Sequence, residues 1–263
     1  MKKLTIIKIG GKVIDDEVAL DQFLKDFSEI EGAKILVHGG GKIASDFGER
    51  LGIKPQLIDG RRITDKATLE LVTMVYGGLV NKKIVAKLQS QNENAIGLTG
   101  ADANVLSAIK RSVKTVDYGF AGDVTKAHVN TESLSKLLST GLTPVFCALT
   151  HDGKGQLLNT NADTIASILS AALSAFYEVD LVYCFEQKGV LSDFENQIVI
   201  KEIGMSTYQK LRQDGTINEG MIPKMDNAFD ALYSGVLSVR IGHFSDVREL
   251  INGKEGTLIN LDL

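Results

Sequence analysis

Short apolar runs rich in β-branched residues alternate with longer amphipathic segments along most of the 263-residue chain. The runs are typical of buried strands and lie at 4–9, 33–39, 95–100, 143–149, 180–185, 238–244 and 256–259. Because helix-length segments separate most of them, the pattern predicts an α/β fold, a three-layer αβα sandwich in which helices cover a central, mainly parallel sheet.

Two amphipathic segments carry a clear apolar stripe. Residues 17–30 have apolar side chains at spacings of three and four, namely Leu20, Phe23, Leu24 and Phe27. Residues 162–176 repeat the pattern with Ile165, Ile168, Leu169, Ala172, Leu173 and Phe176. This spacing predicts two helices, each with one face toward the core.

The sequence contains little that separates domains, since it has only three prolines and no Pro- or Ser-rich linker. One hint of a boundary lies around 176–180, after an alanine-rich segment and before an apolar run. We therefore predict two lobes that share the central sheet, residues 1–176 and residues 177–263. Sheets of this kind bind ligands beyond the carboxyl ends of their strands, so the loops that follow the strands are where a site is expected.

Composition narrows the choice of partners. The formal net charge is -4, and the basic residues form no concentrated run, so neither nucleic acid nor an anionic membrane is an expected partner. No stretch approaches the roughly 18 apolar residues of a membrane span, and Lys8 interrupts the first run too early for a signal peptide. A cytoplasmic location is expected.

The two cysteines, Cys147 and Cys184, each lie inside an apolar run. Their spacing fits neither a zinc site nor a redox pair. We interpret them as small buried hydrophobic residues of a reducing compartment, with a disulfide as the minor alternative.

Glycine clusters follow the first two predicted strands. The clusters are Gly10-Gly11 and Gly39-Gly40-Gly41, and a looser pair, Gly97 and Gly100, lies in the third strand region. Glycines between a strand and a helix let backbone N–H groups surround an anion, although they also serve simply as tight turns. Two clusters ahead of successive helices favour phosphate or carboxylate binding. The G-x-x-x-x-G-K-[ST] and G-x-G-x-x-G patterns are missing, which argues against a P-loop NTPase and a Rossmann dehydrogenase.

Two lysines stand at unusual places. Lys8 interrupts the first strand just before Gly10, where it can neutralise phosphate charge or, alternatively, lie in solvent at a strand end. Lys224 follows Pro223 at a predicted helix start, where the helix dipole disfavours a cation unless an anion is bound. A solvated lysine explains Lys224 about equally well.

Polar residues alternate at Asn159, Asn161 and Asp163, just ahead of the predicted helix 162–176. While the segment stays extended, the alternation places all three side chains on one face. Ordinary N-capping by Asn161 or Asp163 competes with this interpretation, although three polar residues in register exceed what a cap requires.

Nine segments together resemble the amino acid kinase superfamily and, within it, the N-acetylglutamate kinases of arginine biosynthesis. They are IIKIGG (6–11), VHGGGK (37–42), GRRIT (60–64), NKK (81–83), GLTGADA (97–103), YGFAGDV (118–124), LNTNAD (158–163), KGVL (188–191) and EGMIPKMDNA (219–228). They run in family order over nearly the whole chain, so the joint match is far more specific than any one motif.

The resemblance implies an enzyme that uses ATP to phosphorylate the γ-carboxylate of an N-acylated glutamate, N-acetyl-L-glutamate or N-succinyl-L-glutamate, to the acyl phosphate. This is the second step of arginine biosynthesis. MgATP is the implied nucleotide, with Mg²⁺ bound mainly through its phosphates and no metal site made by side chains. The alternative is a catalytically silent amino-acid or nucleotide sensor on the same fold, which has no need of charges matched to a transition state.

The resemblance also implies individual roles. Lys8 and Lys224 would stabilise the transferring phosphoryl group, Asp163 would orient the two lysines, and Gly11 would donate a backbone N–H to the same group. Substrate-binding residues would be Gly40, Gly41, Arg62, Asn159 and Asn161. ATP-binding residues would be Gly10, Glu186, Gln187, Lys188, Gly189, Val190, Leu191, Thr216, Ile217 and Asn218.

The family pattern further implies a division of labour between the lobes. Residues 1–176 would bind the acylglutamate and form a homodimer, and residues 177–263 would bind ATP. Two places depart from the pattern: Phe185 to Lys188 replaces a Ser/Thr-Asp-Val sequence, and Arg61 stands beside Arg62 where an apolar residue is usual. A second guanidinium group there would suit a more acidic acyl group, such as succinyl.

Overall fold

The secondary structure comes from a computed structural model that describes residues 1–58, 60–217 and 221–261. Its α-helices are Lys12–Asp15 (α1), Glu17–Ser28 (α2), Gly41–Arg50 (α3), Lys66–Val72 (α4), Asn81–Ser90 (α5), Thr131–Ser139 (α6), Ala162–Leu173 (α7), Met205–Gln213 (α8), Ile222–Tyr233 (α9) and Val247–Ile251 (α10). A π-helix, Thr73–Val80, joins α4 to α5.

The strands of the described residues are Lys2–Ile9 (β1), Ala33–His38 (β2), Leu57–Ile58 (β3), Arg61–Arg62 (β4), Ala95–Leu98 (β5), Ile109–Lys110 (β6), Gly122–Asp123 (β7), Thr143–Phe146 (β8), Leu149–His151 (β9), Leu157–Asn159 (β10), Tyr177–Phe185 (β11), Leu191–Asp193 (β12), Ile198–Val199 (β13), Glu202–Ile203 (β14), Ser238–His243 (β15) and Thr257–Ile259 (β16). Each predicted strand overlaps at least one of these elements, with ends that differ by a few residues.

Eight of these strands form one continuous sheet in the order β14-β16-β15-β11-β1-β2-β8-β5. Neighbours are parallel, apart from the antiparallel pair β15 and β16. Helix α7 packs on β1, β2 and β11 and contacts α9, while α2 contacts α5 and α10. The predicted α/β architecture with a mainly parallel central sheet is confirmed, and β1 and β11 join its two halves.

Helix α2 shows how the sequence sets an element and its burial together. The Asp16 carboxylate accepts hydrogen bonds from the N–H groups of Val18 and Ala19, which caps the helix start. The predicted apolar stripe is buried at all four positions, Leu20, Phe23, Leu24 and Phe27. This helix is confirmed.

Two predicted elements differ from the structure. Helix α7 ends at Leu173 rather than residue 176, because β11 must begin at Tyr177 to pair with Lys2 of β1. Phe176 is consequently exposed. The predicted strand 143–149 is broken after Phe146, where the chain leaves the central sheet to form the hairpin of β9 and β10.

Burial settles the interpretation of the cysteines. Cys147 and Cys184 are both buried and unpaired, so the disulfide alternative is wrong. Burial raises the pKa of the Cys147 thiol to about 12, and it remains a neutral packing group. In the part of the chain that the structure describes, no helix has the length and apolar character needed to cross a bilayer.

Candidate active site

Lys8 lies near the carboxyl end of β1, an interior strand of the sheet. Only 12% of its side chain is exposed, so it is not the solvated strand-end lysine of the alternative interpretation. A Cβ atom added to Gly10 would lie 2.6 Å from the Lys8 Nζ. The missing side chain at Gly10 therefore gives the ammonium group room to extend past the end of the strand.

Asp163 joins two lysines from different elements. It lies in the first turn of α7, with Oδ1 2.9 Å from the Nζ of Lys8 and Oδ2 3.6 Å from the Nζ of Lys224. The contact with Lys8 is a close, largely buried ion pair. Lys224 follows Pro223 in the first turn of α9, as the sequence predicts.

The charges of this triad favour an anion. Burial raises the pKa of Asp163, but the ammonium groups of Lys8 and Lys224 outweigh burial and bring the pKa below its ordinary value of 3.8. Within this triad, two ammonium groups face a single carboxylate. The hydroxyl group of Tyr183 donates to the backbone carbonyl oxygen of Asp163 at 3.1 Å, which anchors the first turn of α7. The arrangement suits stabilisation of a phosphoryl group that gains negative charge.

A first cavity, of about 270 Å³, opens beside the triad. It is lined by residues from the loops after β1 and β2, from strand β4 and from the junction of β10 with α7. The predicted site residues that line it are Lys8, Gly10, Gly11, Gly40, Gly41, Arg62, Asn159, Asn161 and Asp163. The structure therefore brings together the predicted catalytic residues and all of the predicted substrate-binding residues, with Lys224 reaching the triad from the other side.

Side chains at this first cavity are held in place by local contacts. The guanidinium group of Arg62 donates to the carbonyl oxygen of Gly41 and to the hydroxyl oxygen of Ser45, each at 2.8 Å. Asn161 caps α7, since its side-chain oxygen accepts from the N–H of Thr164 at 3.1 Å. Asn161 therefore both caps α7 and lines the first cavity, so the capping role and the site role predicted from the sequence are compatible.

Sequence reasoning assigned no role to three side chains that also line the first cavity: Tyr76, Arg111 and Tyr118. Burial raises the pKa of Tyr76, which lies on the π-helix, and the neighbouring Arg62 partly opposes that rise. Arg111 forms an ion pair with Asp123, with Nε 2.9 Å from Oδ1. A π-helix follows neither the α-helical nor the strand period, so the pattern did not point to Tyr76. The segment YGFAGDV (118–124) did include Tyr118.

A second cavity, of about 650 Å³, lies toward the C-terminal strands. Its lining residues are Phe185, Glu186, Gln187, Gly189, Val190, Leu191, Ser192, Phe194, Thr216, Ile217, Met221 and Lys224. Most predicted ATP-binding residues are among them. Lys188 is exposed and does not line this cavity, Gly10 lines the first cavity instead, and Asn218 lies outside the described residues. Lys224 lines the second cavity while its ammonium group pairs with Asp163 in the first.

Glu186 links the second cavity to the loop after β1. Its Oε1 accepts the backbone N–H of Lys12 at 3.0 Å, and its carboxylate occupies the space where a side chain on Gly11 would lie. The departure from the family pattern at Phe185 to Lys188 therefore places a carboxylate against the glycine turn. The third glycine region has a different purpose: Gly97 and Gly100 line neither cavity and allow close packing of Asn81 and Leu106.

Across residues 1–58, 60–217 and 221–261, no group of three or more His, Cys, Asp or Glu side chains could hold a metal ion. Asp163, the most buried carboxylate of the site, is already engaged by two ammonium groups.

A sequence profile of the amino acid kinase family matches residues 3–243. The chain belongs to the amino acid kinase family. The acetylglutamate kinase of Cytophaga hutchinsonii is 58% identical over 254 residues, 96% of each chain, and that of Bacteroides thetaiotaomicron is 52% identical over 259 residues, 98% of each chain. The predicted similarity to N-acetylglutamate kinases within this family is confirmed, and these relatives support the prediction of an enzyme.

Solved structures of the family share the fold. The protein smu.665 of Streptococcus mutans superposes with a TM-score of 0.77 at 28% identity and covers 98% of this chain and 99% of its own. The carbamate kinase of Giardia gives a TM-score of 0.70 at 14% identity, with 99% of each chain covered. At that identity the likeness shows the fold alone.

Proposed function

We propose that this enzyme transfers the γ-phosphoryl group of ATP to the γ-carboxylate of an N-acylated glutamate. The observation that carries the proposal is the cluster of Lys8, Asp163 and Lys224, in which Lys8 and Asp163 line the first cavity and Lys224 lines the second. A site for two anionic reactants needs cations at their point of contact. The names of the relatives at 52–58% identity supply the acylglutamate as acceptor.

The reaction must bring two anions together. Two unit charges about 4 Å apart repel by roughly 4 kcal/mol at an effective dielectric constant of about 20. Lys8 and Lys224 offset this repulsion, and Asp163 holds the two ammonium groups near each other despite their own repulsion. The attacking γ-carboxylate is already ionised at neutral pH, so the site needs no general base.

The two cavities would divide the reactants. The first would hold the acylglutamate, with Arg62 at its α-carboxylate and Asn159 near its amide group. The second would hold ATP, with apolar side chains such as Val190 and Ile217 against the adenine. Magnesium ion would accompany ATP and lower the negative charge of its phosphates, held chiefly by those phosphates.

The lobe assignment and the cellular setting belong to the same proposal. Residues 1–176 would bind the acylglutamate and provide the surface of a homodimer, and residues 177–263 would bind ATP. The enzyme would act in the cytoplasm, in the second step of arginine biosynthesis.

The acyl group is a finer question, and Arg61 bears on it. Arg61 and Arg111 line the first cavity together with Arg62. Arg111 forms an ion pair with Asp123, whereas Arg61 has no acidic partner among the described residues, so Arg61 could meet a further carboxylate. We propose that the enzyme prefers N-succinyl-L-glutamate to N-acetyl-L-glutamate. A higher kcat/KM for the acetyl than for the succinyl substrate would reject this, and Arg61→Gln should lower activity with the succinyl substrate selectively.

The proposed activity is tested by an ADP-release assay with N-acetyl- and N-succinyl-L-glutamate. Lys8→Ala should lower kcat by about 10²- to 10³-fold, the scale for loss of one preorganised charge-stabilising group. Lys136→Ala, which removes an exposed lysine from α6, is the matched control and should leave kcat unchanged. Near wild-type turnover of Lys8→Ala would remove Lys8 from the mechanism. Absence of acylglutamate-dependent ADP release from the wild-type protein would favour the silent sensor.

A further inference from the structure

A buried polar pair lies directly beneath the loop of residues 39–41, the Gly39–Gly41 loop. His38, the last residue of β2, has no exposed surface, and Asn81, the first residue of α5, is 1% exposed. The Nδ2 of Asn81 lies 3.0 Å from the Nε2 of His38 and 2.9 Å from the carbonyl oxygen of Val145. The Nδ1 of His38 lies 2.7 Å from the carbonyl oxygen of Gly39.

These contacts fix the protonation and direction of each group. A carbonyl oxygen can only accept, so the Nδ1 of His38 carries the proton that is donated to Gly39. The Nε2 of His38 then accepts from the amide of Asn81, whose oxygen accepts from the Nζ of Lys82 at 3.1 Å. Each side-chain nitrogen and oxygen of the pair therefore has a partner, and the chain of hydrogen bonds ends on the Gly39–Gly41 loop.

The geometry of the peptide group between Gly39 and Gly40 determines the direction in which the N–H of Gly40 points. The carbonyl group of Gly39 and the N–H of Gly40 belong to one planar trans peptide, so they point in opposite directions. Holding the carbonyl oxygen toward the buried His38 therefore aims the N–H of Gly40 the other way. Gly40 lines the first cavity, whereas His38 does not.

Two neighbouring features confine the same groups. The ring of Tyr76 packs 3.0 Å from where a Cβ on Gly40 would lie, so Gly40 has no room for a side chain. On β5, a Cβ on Gly97 would overlap the Oδ1 of Asn81, so the amide fits only because residue 97 is glycine. The π-helix that carries Tyr76 ends directly before Asn81. Residues 76–81 therefore contact both Gly40, through Tyr76, and His38, through Asn81.

We propose that His38 and Asn81 are positioning residues that aim the N–H of Gly40 at the bound anionic reactant, an inference that rests on the proposed function. An apolar pair could fill the same buried volume. It could not hold the carbonyl of Gly39, and the Gly39–Gly41 loop would then lose the single orientation that binding requires.

The test compares His38→Leu with His38→Asn in the full-length enzyme. Leu removes the donor to Gly39, whereas the amide nitrogen of Asn can occupy the place of Nδ1 and restore it. With His38→Leu, kcat/KM for the acylglutamate should fall by about tenfold or more, as expected when one hydrogen bond to a charged group is lost, while KM for ATP stays within about twofold. His38→Asn should recover most of the loss.

Gly97→Ala supplies a second variant that changes no residue of the loop. Its added Cβ would overlap the Oδ1 of Asn81 and approach the Nζ of Lys82 to 2.7 Å, so it should displace Asn81 and reproduce the loss with His38→Leu. Gly97→Ala also tests the inference if His38→Leu does not fold. Unchanged kcat/KM for the acylglutamate in a folded His38→Leu or Gly97→Ala enzyme overturns the inference alone. Equal losses for both substrates, without rescue by Asn, would mean that the pair has only a structural role. A wild-type protein without acylglutamate kinase activity overturns the proposed function and this inference together.

Discussion

Gly10→Ala tests the role of Lys8 without removing any charge. The added methyl group would lie 2.6 Å from the Nζ of Lys8 and 3.4 Å from its Cε. Ordinary contact between such atoms is roughly 3.5 Å, so Nζ must retreat by about 0.9 Å. The backbone of Gly10 does not have a positive φ, and alanine is therefore tolerated there.

The size of the effect follows from the distance between Lys8 and Asp163. A displacement of about 0.9 Å directed away from Asp163, from the present 2.9 Å, weakens their attraction by up to about 1 kcal/mol at an effective dielectric constant of about 20. The catalytic loss should be larger than this, since a misplacement of about 1 Å can cost on the order of 100-fold in rate. We expect kcat to fall by about 10- to 100-fold, with little change in thermal stability.

The assay is ADP release at saturating ATP and acylglutamate, made for single and double variants. If Gly10→Ala acts by displacing Lys8, its effect should largely disappear in a Lys8→Ala background. Gly78→Ala is the matched control, because its added Cβ meets nothing within 4 Å. A Gly10→Ala enzyme with kcat within twofold of wild type refutes the reasoning, as does an equal loss in the Lys8→Ala background.

Other groups give three more predictions. Asp163→Asn should lower kcat by about 10²-fold and the free energy of unfolding by about 2 kcal/mol, because two ammonium groups lose the carboxylate between them. Urea denaturation that shows no destabilisation would contradict this. Glu186→Gln keeps an acceptor for the N–H of Lys12 but removes a negative charge beside the glycine turn. KM for ATP should therefore fall by about threefold. A higher KM would count against repulsion between the Glu186 carboxylate and the ATP phosphates. Burial lowers the pKa of His38 from 6.5 to about 4, so between these values the unfolded chain binds a proton that the folded chain excludes. The free energy of unfolding should therefore fall as pH falls through this window, by about 3 kcal/mol, and urea denaturation of His38→Asn at several pH values should show no such slope.

The sequence by itself was sufficient for the layered architecture, and most of the site residues predicted from it line one of the two cavities. Alternating strand and helix patterns report which face of each element is apolar, and the α2 stripe shows how directly that predicts burial. The glycine clusters at 10–11 and 39–41 could be recognised because a tight strand-to-helix turn and an approaching anion both exclude side chains. Lys8 was conspicuous because a charged residue interrupted an otherwise apolar strand.

Other features depended on the order of the strands and on the packing of helices far apart in sequence. The sheet order places β11 beside β1, and the packing of α7 against α9 brings Lys224 to Asp163. Packing of the π-helix and α5 places Tyr76 against Gly40 and Asn81 against Gly97. A residue pattern reports which way a side chain faces on its own strand or helix. Which other element that side chain meets is decided only when the whole core closes, because non-local contacts form between segments that share no sequence signal.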